Sequence, residues 1–208
     1  MIPFDVLSLF FVASLALGAA PGPDNIFVLT QSALYGRLAG IVVTLGLCSG
    51  IFVHTAAVAL GVAAIFQTSA LAFTALKIAG AGYLFYLAIG AWRAGASDIA
   101  DNKQPRLPLP KLYLRGVVMN ITNPKVAIFF LAFLPQFADP VRGPVALQII
   151  ALGGVFVVAT LLVFGAVAIG GGTLGGFLQR SPWAQAMMNK VASVIFASLA
   201  MRLIMTER

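Results

Sequence analysis

The chain has 208 residues, of which 61% are hydrophobic and 9% charged, against roughly half and a quarter in an ordinary soluble domain. Too few charged side chains exist to build the polar shell that water demands, so the chain reads as an all-α integral membrane protein. The net charge of +7 does not indicate nucleic acid, because the thirteen basic residues are scattered singly between apolar runs. Cys48 is the one cysteine, which excludes a disulfide framework and a Cys-based metal site within one chain.

Six apolar runs reach the roughly 20 residues a transmembrane helix requires, and the first covers Phe4 to Ala33. A cleaved signal peptide is the alternative, given Gly18, Ala19 and Ala20, but no basic residue precedes Asp5 and a retained helix is expected. Ala20-Pro21-Gly22-Pro23-Asp24-Asn25 interrupts this run. Two prolines and a glycine free backbone carbonyls inside hydrocarbon, which is tolerated where the break lines a polar cavity. Pro23 suits the first turn of a second half-helix, whose free N–H groups and dipole would attract an anion. The alternative is a helix ending near the interface, which fits poorly with Arg37 thirteen residues after Asp24, about 20 Å along a helix.

Asp24 is the one carboxylate well inside a run, since Asp5, Asp98, Asp101, Asp139 and Glu207 fall at termini or in connections. An intramembrane ionisable group is a functional candidate, with a purely structural ion pair as the alternative. The second run, Leu38 to Phe66, carries His54, the single histidine. It is read as a packed side chain, with proton relay as the competing role. Gly36, Gly40, Gly46 and Gly50 are spaced for close helix packing within the chain. The third run is Ala70 to Trp92, and Arg93 to Arg115, with Pro105, Pro108 and Pro110, is a polar midpoint connection.

The fourth run, Gly116 to Phe137, repeats the pattern of the first: Asn123-Pro124-Lys125 breaks it and supplies one charge. Lys125 lies ten residues after Arg115, about 15 Å along a helix, and is the expected partner of Asp24. Asn25, Asn120, Thr122 and Asn123 add neutral hydrogen-bonding groups, with helix capping as their alternative role. Asp24 and Lys125, with the helix N-ends, offer an acceptor for the ammonium and a donor for the carboxylate of an amino acid. The fifth run is Val145 to Gly170, the glycine-rich stretch Gly170 to Gly176 lacks a phosphate-gripping Lys and reads as a helix ending, and the sixth run is Ala184 to Met205.

Arg37, Arg93, Lys103, Arg106, Lys111, Arg115, Arg180 and Lys190 fall on one side of the predicted spans. Arg142 and Arg208, with Lys77 and Arg202 near helix ends, fall on the other. Both termini are therefore expected outside. Gly22-Pro23-Asp24 overlays Asn123-Pro124-Lys125, Gly50 to Val53 overlays Gly154 to Val157, and Lys77 to Ala79 overlays Lys190 to Ala192. Their common order suggests one transporter domain of two three-helix units (1–104 and 105–208), inverted because each has an odd number of spans, with helices one and four broken.

Pro21-Gly22-Pro23-Asp24, glycines 36, 40, 46 and 50, Lys77 to Leu84, Asn120 with Asn123-Pro124-Lys125, Phe129-Phe130 and Pro135-Gln136-Phe137 together resemble the lysine exporter superfamily, in its homoserine/threonine-resistance branch. That resemblance implies a six-span bacterial inner-membrane exporter of a small amino acid, driven by the proton gradient. The expected site comprises Asp24, Lys125, Pro21, Gly22, Pro23, Asn25, Asn120, Asn123 and Pro124, with no metal or cofactor. The expected partners are an amino-acid substrate and membrane lipid, not nucleic acid, and no oligomeric state is read from the glycines. An intramembrane enzyme would need a nucleophile or metal constellation that the residues do not offer. A non-transporting scaffold would have no use for opposed charges at two matching helix breaks.

Overall fold

A computed structural model describes residues 2–20, 22–68, 70–94, 106–171 and 181–205, with backbone alone at 62–68, 70, 72, 73, 76, 182, 184 and 202. Pro21, Asp98, Asp101, Lys103, Pro105, Gly172 to Gly176, Arg180, Glu207 and Arg208 lie outside the described residues, as does the side chain of Arg202. The described chain is helical: α1 Phe4–Ala19, α2 Pro23–Tyr35, α3 Arg37–Thr68, α4 Ala70–Arg93, α5 Leu109–Thr122, α6 Pro124–Ile128, α7 Val145–Gly170 and α8 Pro182–Met205. A wide π turn, Phe129–Phe133, and a tight 3-10 turn, Leu134–Phe137, extend α6.

Among the described residues, Arg37–Gly61, Val145–Gly170 and Gln185–Met205 are long and apolar enough to cross a membrane. Counting the bent pairs α1 with α2 and α5 with α6 as single spans gives up to five. The bends are 64° and 51°, both at the sequence interruptions. Pro23 and Pro124 each occupy the first helical turn, where the missing N–H is no loss. Asn123 caps α6 by accepting the Lys125 amide at 3.0 Å.

The fourth run begins earlier than hydropathy indicates. Pro108 caps α5 and Pro110 sits in its first turn, so Lys111 and Arg115 belong to the helix and not to the connection. Proline is permitted there because no carbonyl lies one turn behind it.

Around the central α3–α7 pair, α5 packs on α3, α1 on α7, α2 against both α3 and α7, and α4 on α8 and on the wide turn after α6. Outward side chains are apolar, as Leu38, Phe52, Leu60, Leu147, Val158 and Ile204 illustrate, while Asp24, Gln31, Asn120 and Thr160 are buried. This polarity is inverted relative to a water-soluble bundle and suits a lipid solvent.

The α3–α5 contact is backbone on backbone. A Cβ on Gly116 would strike the Val43 carbonyl oxygen and lie 3.1 Å from the Gly46 Cα, and one on Gly46 would strike the Tyr113 carbonyl oxygen. Gly116→Ala is therefore expected to destabilise the protein by about 1–3 kcal/mol. Gly90→Ala, on an open helical face, is expected to be neutral or slightly stabilising, and thermal unfolding in detergent compares the two. Gly40 and Gly50 also sit at contacts, against Ser32 and Asn120. Gly36 instead has φ of 89° with nothing near its Cβ position, and makes the turn between α2 and α3. Gly154 faces open space whereas its overlay partner Gly50 abuts Asn120, so those two glycines do not share a packing role.

Candidate functional site

The buried apolar side chains form two clusters. One gathers Phe10, Leu17, Ile51, Val126, Phe129, Phe130, Phe133 and Phe156, and the other Phe27, Val28, Val43, Leu47, Leu112, Phe164 and Ala168. Three segments of the chain change cluster at a buried polar residue. Asp24 separates Ala20 from Phe27, Asn120 and Asn123 separate Leu112 from Val126, and Thr160 separates Phe156 from Phe164. A seam of hydrogen-bonding groups thus crosses the bundle between two apolar compartments, at the level of both helix breaks.

The breaks are joined by side chains. Asp24, 4% exposed, accepts a 2.7 Å hydrogen bond at Oδ2 from Nδ2 of Asn123. Lys125 Nζ crosses the other way and donates to the carbonyl oxygens of Leu17 and Ala20, both at 3.0 Å. These carbonyls belong to the last turn of α1 and to its C-cap residue, left without intrahelical donors by the break, and the C-terminal dipole favours a cation there. Gly22 lies close beside it: a Cβ there would come within 3.3 Å of Nζ, so the lysine end would have to shift slightly to admit one. Asp24 and Lys125 do not form a direct ion pair: each holds the opposite break, and the link between them runs through Asn123.

Asn25 donates from Nδ2 to the Gly18 carbonyl at 2.8 Å and further ties down the end of α1. The Asn120 carbonyl accepts from the Asn123 amide at 3.1 Å and faces His54 Nε2 at 3.1 Å. His54 also lies 5.6 Å from the Phe130 ring, the packed arrangement expected of it. Thr122 departs from expectation. It is exposed and bonds to the Val118 and Met119 carbonyls of its own helix, so it does not join the seam. Pro23 and Pro124 contribute by starting α2 and α6, and Pro21 falls outside the described residues.

Three buried atoms at the breaks have no hydrogen-bond partner among the described residues: Asp24 Oδ1, Asn25 Oδ1 and Asn120 Oδ1. All three are acceptors. Buried oxygens normally find a donor, and an ammonium group carries three. Gln31, which the sequence reading did not single out, is 0% exposed and lacks partners at both Nε2 and Oε1. Its signal in the sequence is a polar residue two helical turns after Asp24, on the same face of α2.

Comparison with known proteins adds a family. The family model described as "LysE type translocator" matches residues 15–207. The chain is 35% identical over 155 residues to the "Homoserine/homoserine lactone efflux protein" of Salmonella typhimurium, covering 74% of each chain. The protein of the same description from Salmonella typhi is 34% identical over 155 residues, again 74% of each. An "Uncharacterized membrane protein" of Vibrio cholerae is 32% identical over 195 residues, 93% of this chain and 94% of that one. No solved structure matches the chain at a significant level. The translocator family and the efflux relatives agree with a helical, lipid-facing bundle and are transporters, not enzymes, and on this match the chain belongs to the LysE type translocator family.

Proposed function

We propose that this protein exports a small neutral amino acid of the homoserine type across the bacterial inner membrane. The observation that carries the reading is the set of three unpartnered acceptor oxygens, Asp24 Oδ1, Asn25 Oδ1 and Asn120 Oδ1, at the junction of two broken helices. A substrate ammonium meets those oxygens. Its carboxylate is received by the open N-terminal turn of α2 and by Lys125, beside the negative C-terminal end of α1. The efflux relatives, by their descriptions, handle homoserine, which has such an ammonium and carboxylate.

Each bent pair serves as one span and α4 adds a sixth to the five counted above, giving two inverted three-helix units with both termini outside. The packing of α5 on α3 beside that of α1 on α7, with α3–α7 and α4–α8 as the cross-pairs, supports this symmetry. Alternating access then consists of the half-helices rocking about the two breaks, with the side-chain links broken and remade. The cation position at the carbonyl end of α1 is filled by Lys125, the place where broken-helix carriers coordinate a coupling ion, so the proton gradient drives export without sodium.

The test is a challenge of cells overexpressing the protein with inhibitory amino acids and analogues. Resistance to homoserine together with a several-fold lower intracellular content is the expected result. Resistance with unchanged content, or none against the whole panel, would overturn the reading.

A further inference from the structure

We propose that Gln31 is the far end of this amino-acid site: its amide takes the polar terminus of the substrate side chain while Asp24 holds the ammonium. The inference rests on the exporter reading and adds the substrate's length and side-chain chemistry.

Gln31 is completely buried where α2 packs on α3 and α7, yet neither its amide nitrogen nor its oxygen has a partner among the described residues. Two buried hydroxyls of α2 and α3 are already engaged. Ser32 donates to the Val28 carbonyl at 2.8 Å, and Thr44 to the Gly40 carbonyl at 2.9 Å. A side chain with two strong hydrogen-bonding groups is thus kept in an apolar surround at a loss of stability. A ligand that meets both groups accounts for it.

Register sets what that ligand is. Asp24 and Gln31 are seven residues apart on one continuous helix, two turns that return to the same face with an axial separation of about 10 Å. Helical side chains lean toward the N-terminus, so both lean alike and the separation is retained. Two hydrogen bonds of about 2.8 Å each leave about 5 Å, the extended distance from an ammonium nitrogen to a hydroxyl oxygen four single bonds away. Homoserine has that length. A primary amide presents donor and acceptor side by side, which suits a hydroxyl that both accepts and donates. A second ammonium would face the amide NH2 unfavourably, and a lysine-length chain overshoots by about two bonds, so basic amino acids are excluded.

The experiment compares export of homoserine and norvaline, which replaces the hydroxyl with a methyl at equal length, by purified protein in liposomes. The wild type should prefer homoserine at least tenfold. Gln31→Met, similar in shape without the amide, should bring the ratio close to one, retain norvaline export and melt no lower than the wild type. Gln31→Asn withdraws the amide by one methylene, and should shift preference toward the hydroxy-amino acid one carbon longer. An unchanged homoserine-to-norvaline ratio in Gln31→Met would overturn the inference while leaving the exporter reading intact. Equal loss of both substrates with lowered melting would assign Gln31 to structure alone. A wild type that moves neither amino acid would take down the exporter reading, and this inference with it.

Discussion

Asp24→Asn should reduce amino-acid export to the background of cells lacking the protein, with membrane insertion and thermal stability close to wild type. The substitution preserves shape, and the new amide oxygen can still accept the hydrogen bond that Asn123 Nδ2 donates to Oδ2 at 2.7 Å. What disappears is the negative charge, and one of the three unpartnered acceptors becomes a donor. Truncating one partner of a buried charged contact costs about 2–5 kcal/mol, equivalent to roughly 30-fold to several thousand-fold in affinity. Export assayed alongside protein abundance checks this, and wild-type export by the variant would remove Asp24 from the site.

Lys125→Ala should lose both export and stability, because its ammonium performs a structural task that Asp24 does not share. The Leu17 and Ala20 carbonyls, each 3.0 Å from Nζ, would be left without donors inside the bilayer, and Asp24 would lose the nearby cation. Removing one member of a buried charged arrangement is destabilising by about 3–5 kcal/mol, and a lowered melting temperature in detergent reports it. Neutralising Asp24 as well should restore only part of that loss. The double variant no longer buries an uncompensated carboxylate, but the carbonyls at the end of α1 still lack partners. Had the two residues formed a direct ion pair, the double variant would have regained most of the stability.

The breaks were legible in the sequence because proline and glycine have local consequences: Pro23 and Pro124 dictate a new helix start whatever surrounds them. The charges at Asp24 and Lys125 were legible for a similar reason, as ionisable groups in apolar runs have few places to go. Their hydrogen-bond partners were not. Sequence spacing suggested Asp24 and Lys125 near enough to interact directly or through one water or substrate; in the structure Asn123 donates to the carboxylate and the ammonium donates to the α1 carbonyls. That preference arises because a broken helix end offers fixed carbonyls at the depth a lysine reaches, and no one-dimensional pattern records it. Gln31 is not legible in the sequence, since a lone neutral amide on a helix resembles an exposed or capping residue until burial is known. The start of α5 is hidden in the sequence because charge and proline density read as helix breakers, although Pro110 lies where a helix accepts proline.

The central claim, that the two breaks form one amino-acid site, is tested most directly by equilibrium binding of labelled homoserine to purified wild-type and Asp24→Asn protein. Saturable binding by the wild type and its loss in a correctly folded Asp24→Asn variant is the predicted result. Equal affinity in both proteins would contradict it.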